Sequence, residues 1–203
     1  AEAGKSSDIV ANLEKSRQEV RNFGNRVSLH GGSIYVNSNA CLIAKCDPRD
    51  GKPDWIHYYS TSPGPGSGAL GSHPILFDDL VICMTKDSGK TFALQAKTGK
   101  LVWENTLTLG IEYIGTDQDN LILRGQFSLA AVNLKTGQTT WHTKIPDNII
   151  GRSQMIGSSI YLADIYGLTQ FNASNGAIVN RICLLYTSPS PRDQRGGGWG
   201  SGG

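Results

Sequence analysis

Apolar residues fall into short runs separated by polar, glycine-containing turns along most of this chain. The stretch Pro74–Gln95 shows the pattern most clearly. Pro74-Ile-Leu-Phe77 is short and apolar, and Asp78-Asp79 follows as a turn. Leu80-Val-Ile-Cys-Met84 is rich in β-formers, Lys86-Asp-Ser-Gly89 reads as a hairpin, and Thr91-Phe-Ala-Leu94 forms the next run. After the turn Lys97-Thr-Gly99 comes Leu101-Val-Trp103, so four strands are predicted with turn chemistry between each pair.

The same order recurs. Val27–Leu29, Ile34–Val36, Cys41–Ile43 and Trp55-Ile56 make a first unit. Tyr113-Ile114, Leu121–Leu123, Leu129–Val132 and Thr139–Trp141 make a third. Gln154–Ile156, Ile160–Leu162, Leu168–Phe171 and Ala177–Val179 make a fourth. Each unit ends on a nine-residue segment, and the four segments align without gaps. They are Asp47-Pro-Arg-Asp-Gly-Lys-Pro-Asp-Trp55, Gln95-Ala-Lys-Thr-Gly-Lys-Leu-Val-Trp103, Asn133-Leu-Lys-Thr-Gly-Gln-Thr-Thr-Trp141 and Asn172-Ala-Ser-Asn-Gly-Ala-Ile-Val-Asn180. A polar residue precedes Gly by four, and Trp (or Asn180) follows Gly by four.

The glycines stand at 51, 99, 137 and 176. A period of roughly 40 residues is that of a four-stranded propeller blade. The longer first step contains Ser62-Pro-Gly-Pro-Gly-Ser-Gly68, read as an insertion between units. The fold expected is all-β, a partial β-propeller of about four four-stranded antiparallel blades, spanning about 26–60, 72–107, 110–146 and 150–182.

The recurring residues have physical roles. Asp or Asn at the head of a segment can accept backbone N–H groups in the turn. Gly supplies a positive φ without steric cost. Trp offers a wide apolar face to a neighbouring blade, since a lone blade cannot cover both faces of its own sheet.

Ala-x-polar-x-x-x-Gly-x-x-x-Trp resembles the tryptophan-docking motif of quinoprotein-like (PQQ-like) propellers. Ala93, Gly99 and Trp103 match it, as do Ala131, Gly137 and Trp141. The first unit keeps Gly51 and Trp55 but has Lys45 in place of Ala; the fourth keeps Gly176 but has Gln170 and Asn180. Ile34 to Asn39, continuing through Asp50-Gly51 to Trp55, is similar to BamB-like repeat proteins. The resemblance covers about Arg26 to Ile182. It implies that each Trp packs on the next blade's motif, within a ring of about eight blades. It also implies an extracytoplasmic, periplasmic setting. Four blades are half such a ring, so the chain reads as a fragment whose remaining blades, or a protein partner, cover its open faces.

The two ends depart from the repeat. Ser7-Asp8 ahead of Ile9, Val10, Leu13 and Val20 predicts a capped linker helix to about Arg21, so residues 1–25 are set apart. Leu184 to Asp193 resembles translated vector sequence, and Gly dominates 196–203; residues 183–203 are expected to be disordered and non-native.

Composition narrows the function classes. The net charge is +2, which offers no basic footprint for nucleic acid or an anionic membrane. No apolar stretch is long enough to span a bilayer. Cys41, Cys46, Cys83 and Cys183 lack zinc spacing and read as unpaired thiols. His30, His57, His73 and His142 share no offset, and Asp47, Asp50, Asp78, Asp79, Asp117 and Asp119 lie at turns without a calcium-loop pattern.

No catalytic, cofactor-binding or metal residues are assigned. The expectation is a non-catalytic scaffold or binding module that contacts another protein. The alternative is half of a PQQ-dependent dehydrogenase, the only reading that requires that quinone. The adjacent cysteines common in the family's enzymes are absent from this sequence.

Overall fold

A computed structural model describes residues 26–38, 41–61, 72–85, 87–106, 110–125, 127–145, 149 and 151–183. The predicted N-terminal helix and C-terminal tail lie outside these residues, apart from Cys183. The described part is all-β, in four antiparallel sheets of four strands each. The first holds β1 (Arg26–His30), β2 (Ser33–Asn37), β3 (Leu42–Cys46) and β4 (Pro53–Tyr58). The second holds β5 (Ile75–Phe77), β6 (Leu80–Thr85), β7 (Lys90–Gln95) and β8 (Leu101–Asn105). β9 (Gly110–Asp117), β10 (Asn120–Gly125), β11 (Ser128–Asn133) and β12 (Thr139–Lys144) form the third. β13 (Gln154–Ile156), β14 (Ser159–Ala163), β15 (Gly167–Asn172) and β16 (Ile178–Cys183) form the fourth.

Every sheet pairs its strands in chain order, so each is a meander blade of a partial β-propeller. Two strands differ in position from their predictions, and one is β16, which runs Ile178–Cys183 rather than Ala177–Val179 and takes Cys183 out of the expected disordered tail. β3 begins at Leu42 and runs through Lys45 to Cys46, whereas the apolar signal ended at Ile43. Cys41 stands outside it with φ +64, turning the chain into the strand. Lys45 belongs in the sheet because it faces Trp55 across the ladder and pairs with Asp54 at 3.0 Å.

The third and fourth strands of every blade are joined by the same turn. Gly51, Gly99, Gly137 and Gly176 have φ of +69 to +71°, and each donates its N–H to the carbonyl four residues back at 2.8–2.9 Å. Each turn also shifts the register once, at Lys45/Cys46, Ala93/Leu94, Ala131/Val132 and Gln170/Phe171. That is a bulged hairpin with glycine at the left-handed position. Side chains reinforce it: Asp47 Oδ1 accepts from Arg49 N at 2.9 Å, Asn133 Oδ1 from Thr136 N at 3.0 Å, and Asn172 Oδ1 from Ser174 N at 2.8 Å.

The core lies between blades, because the strand period of two sends alternate residues to opposite neighbours. Val81, Cys83, Phe92 and Leu94 of the second blade pack with Tyr35 and Ile43 of the first. The intervening Ile82, Met84 and Ala93 pack with Leu121, Leu123 and Val132 of the third. Ile122, Leu129 and Ala131 then meet Ile160, Leu162 and Phe171 of the fourth. Four sheets thus enclose three apolar layers. Truncating Phe92→Ala, in the first of these layers and 2% exposed, should cost about 3–5 kcal/mol. Urea unfolding measures it, and a loss below 1 kcal/mol would mean that the layer closes over the gap (~1 kcal/mol being the ordinary point-mutant cost).

Candidate functional site

The most distinctive chemistry in the described residues sits at the blade junctions. It begins with the turn glycines. A Cβ built on Gly99 would stand 2.6 Å from Cδ2 of Trp55. One on Gly137 would stand 2.5 Å from Cδ2 of Trp103, and one on Gly176 2.5 Å from Cε3 of Trp141. Each indole, carried on the fourth strand of one blade, therefore lies on the turn glycine of the following blade. Glycine is required twice over, for its backbone angle and for the missing side chain.

Each indole also donates its Nε1–H to the carbonyl three residues before the glycine beneath it. The bonds are Trp55 to Ala96 O at 3.0 Å, Trp103 to Leu134 O at 2.8 Å and Trp141 to Ala173 O at 3.0 Å. Ring and polar edge are thus satisfied by one neighbouring turn, as a buried Trp requires. Ala93 and Ala131 face Trp103 and Trp141 across the ladder, where Lys45 faces Trp55 and Gln170 faces Asn180.

A second contact at each junction was not anticipated from the sequence. Two residues beyond each Trp, a side chain reaches the carbonyl of the same glycine. Asn105 Nδ2 donates to Gly137 O at 2.8 Å, and Thr143 Oγ1 donates to Gly176 O at 2.9 Å. His57 hydrogen-bonds the Gly99 backbone in a way that favours its charged form, so it donates to that carbonyl. The motif is therefore Trp-x-donor, with His, Asn and Thr interchangeable because only one N–H or O–H is needed. The spacing was visible in the sequence, but three different residue types concealed the shared role.

Further polar links tie individual junctions. Asp87 accepts from Tyr59 OH at 2.9 Å and from Cys41 N at 3.0 Å, joining blade one to the β6–β7 turn. Burial, with Asp87 adding to it, pushes the Tyr59 phenol far up, so it stays a proton donor. Between blades three and four, Ser153 donates N–H and O–H to Glu112 at 3.2 and 3.0 Å. Arg124 Nε stands 3.0 Å from the same carboxylate as an ion pair, at an angle outside hydrogen-bond geometry.

The other titratable groups weighed in the sequence do not converge. His73 Nδ1 meets Val27 O at 3.0 Å, and His142 lies exposed on β12. Asp47 pairs with Arg49 at 2.6 Å and Asp50 with Lys52 at 3.0 Å, each within its own turn. Asp119 lies 3.7 Å from Lys135. Among the described residues no three His, Cys, Asp or Glu side chains gather as a metal would require, and Cys41, Cys46, Cys83 and Cys183 are free thiols.

Three outcomes follow from the junction geometry. Trp103→Ala should cost about 3–5 kcal/mol in urea unfolding, and an unchanged midpoint would show that the ring contributes no packing. Gly137→Ala should be distinctly worse than Gly51→Ala. Both meet the left-handed penalty of about 1–2 kcal/mol, but only at Gly137 would the new methyl strike an indole. Equal losses would refute the close approach.

The third outcome concerns pH. Burial holds the His57 imidazole below its ordinary value, outweighing the Gly99 bond and the attraction of Glu104. The native state therefore binds fewer protons than the unfolded chain near the ordinary value of 6.5. Its stability is complete above that pH and declines as pH falls through it. His57→Asn, which supplies the amide that Asn105 uses one junction later, should flatten that part of the decline. Parallel stability–pH curves for the two proteins would assign the effect elsewhere.

Comparison with known proteins places this geometry in a family. The family model described as outer membrane protein assembly factor BamB matches residues 13–182. An uncharacterized protein of Rickettsia conorii is 24% identical over 196 residues, covering 86% of this chain and 46% of its own length. Outer membrane protein assembly factor BamB of Legionella pneumophila is 28% identical over 121 residues, covering 53% and 31%. This chain thus spans less than half the length of either relative. The fold is shared with the crystal structure of BamB from Moraxella catarrhalis, at TM-score 0.60, 21% identity, and 79% of this chain against 49% of that one. It is shared also with quinohemoprotein alcohol dehydrogenase ADHIIG from Pseudomonas putida, at TM-score 0.58, 13% identity, and 77% against 33%. With the match running from residue 13 to the last strand, the chain belongs to the BamB family of PQQ-like β-propeller proteins.

Proposed function

We propose that the chain serves as a non-catalytic propeller scaffold that presents its inter-strand loops to another protein outside the cytoplasm. One observation carries this reading. Recurrent donors at the junctions, Trp103 and Asn105 buried and Thr143 half-buried, are spent on neighbouring turns. Three of the loop carboxylates, Asp47, Asp50 and Asp119, pair with Arg49, Lys52 and Lys135. Side chains committed in this way fix a shape, and a fixed shape bearing variable loops suits protein recognition.

Family membership supports the same reading, because the matched description is that of an assembly factor of the outer membrane. A periplasmic location follows from it as part of the proposal. No helix among the described residues is long and apolar enough to cross a membrane. The fold is equally that of a quinohemoprotein alcohol dehydrogenase, and half of such an enzyme is the competing reading.

The test uses the full chain as bait on detergent-solubilised bacterial envelopes, beside a dye-reduction assay with PQQ, calcium and a panel of alcohols and sugars. Specific recovery of an outer-membrane protein without dye reduction is expected. Substrate-dependent dye reduction with no protein recovered would replace the scaffold by the dehydrogenase.

A further inference from the structure

Asn175 is the only asparagine in the chain that a glycine follows. It stands in the β15–β16 turn, one residue before the glycine on which Trp141 lies. The same place in the other three turns holds Asp50, Thr98 and Thr136. An asparagine before glycine carries a reaction of its own, because no Cβ shields the glycine nitrogen from the neighbouring carboxamide. The Gly176 nitrogen gives its proton to a solvent base and bonds to Asn175 Cγ. The Cγ–Nδ2 bond breaks, and the amide group leaves as ammonia, taking a proton from water. Water then opens the cyclic imide at either carbonyl, giving aspartate or isoaspartate. Only water is consumed, and nothing is oxidised or reduced.

The turn supplies both the reactants and their restraint. Asn175 is exposed, so water and base reach its carboxamide, whereas Gly176 is buried. The nucleophile is occupied, since Gly176 N donates to Asn172 O at 2.8 Å. The electrophile is anchored, since Asn175 Oδ1 accepts from Ala177 N at 2.9 Å. From blade three, Thr143 Oγ1 donates to Gly176 O at 2.9 Å, and a Cβ on Gly176 would stand 2.5 Å from Cε3 of Trp141. Closing the ring requires the peptide between Asn175 and Gly176 to rotate, and blade three holds Gly176 against that rotation. Gly51 offers the contrast. Its N–H makes the same bond, to Asp47 O at 2.9 Å, and Asp50 Oδ1 accepts from Lys52 N at 3.0 Å. Yet Gly51 is exposed, and among the described residues nothing lies within 4 Å of the place its Cβ would occupy.

We infer that Asn175–Gly176 is a self-modification site, latent while blades three and four stay docked and released when that junction opens. Conversion makes an opening permanent. Isoaspartate adds a methylene to the backbone of the turn, so Gly176 cannot return beneath Trp141 with its bonds to Asn172 and Thr143 intact. The site thereby keeps a covalent record of the third junction.

The test incubates the full chain in mildly alkaline buffer and maps its peptides by mass spectrometry. Conversion appears as the small mass gain of an amide becoming an acid, in two products that chromatography separates. Asn175 should convert readily in urea and at least about tenfold more slowly in the folded chain, where only the opened fraction reacts. Thr143→Val, which keeps the shape and loses the donor, should speed conversion of the folded chain several-fold. Asp50→Asn puts the same dipeptide into the same turn with no indole on it among the described residues. The pair it gives up with Lys52 is exposed and of little weight. In that folded protein, position 50 should convert several-fold faster than Asn175. Circular dichroism during incubation selects the variants that keep the strand signal. Equal rates at the two positions would overturn the inference, because the turn alone would then set the rate. So would a folded Thr143→Val protein that converts at the parental rate, or an Asn175 that converts as fast folded as in urea.

Discussion

The meeting of an indole and a glycine turn is the constraint on which the rest of this architecture depends. A four-stranded blade hides neither of its faces, so it is stable only against neighbours. The turn glycine fixes where the neighbour's ring can lie. Its left-handed angle bends the hairpin so that two carbonyls point outward, and its missing side chain leaves a flat place for the ring. The ring fills that place, its N–H takes one carbonyl, and the side chain two residues later takes the other. Local turn chemistry and inter-blade packing are therefore one feature, seen at two scales.

The arrangement has a direction. Blades one to three give a tryptophan forward and blades two to four receive one on the turn glycine, so the second and third do both. The layers beneath follow the same order: Val81 and Cys83 look back while Ile82 and Met84 look ahead. Stability in such a stack is a sum of blade and junction contributions, with each junction adjustable independently. The first junction is bound further by Tyr59 and Asp87, and the third by Glu112, Arg124 and Ser153. Gly115 illustrates the fine adjustment, since a Cβ there would reach Met155 Sδ of blade four at 2.7 Å.

Most of the fold was legible because it is written in local signals. Strands alternate, turns carry Gly after Asp or Asn, and the interval between glycines gives the blade. The limits were equally physical. β3 was misplaced because Lys45 reads as a break in an apolar run; only its cross-strand neighbour Trp55 and partner Asp54 explain why it lies in the sheet. The donors at 57, 105 and 143 escaped notice because a hydrogen bond needs a proton and not a particular residue. The Cys41–Tyr59–Asp87 and Glu112–Ser153 links join residues 28 to 46 apart in the chain, a separation no local pattern encodes. Gly51 showed the reverse: its motif was plain, but only the fold reveals that, among the described residues, no indole lies on it as on the other three.

That one donor is a histidine has a consequence for how the stack responds to its surroundings. Asn105 and Thr143 offer the same proton at every physiological pH, so the second and third junctions are indifferent to acid through this contact. His57 keeps its bond when charged, but the charge must then reside where burial disfavours it. Glu104, on the neighbouring β8, softens that cost without removing it. Acid therefore strains the first junction while the other two clamps hold. Through this contact, mild acidification bears on the meeting of blades one and two and leaves the clamps of the other junctions unchanged.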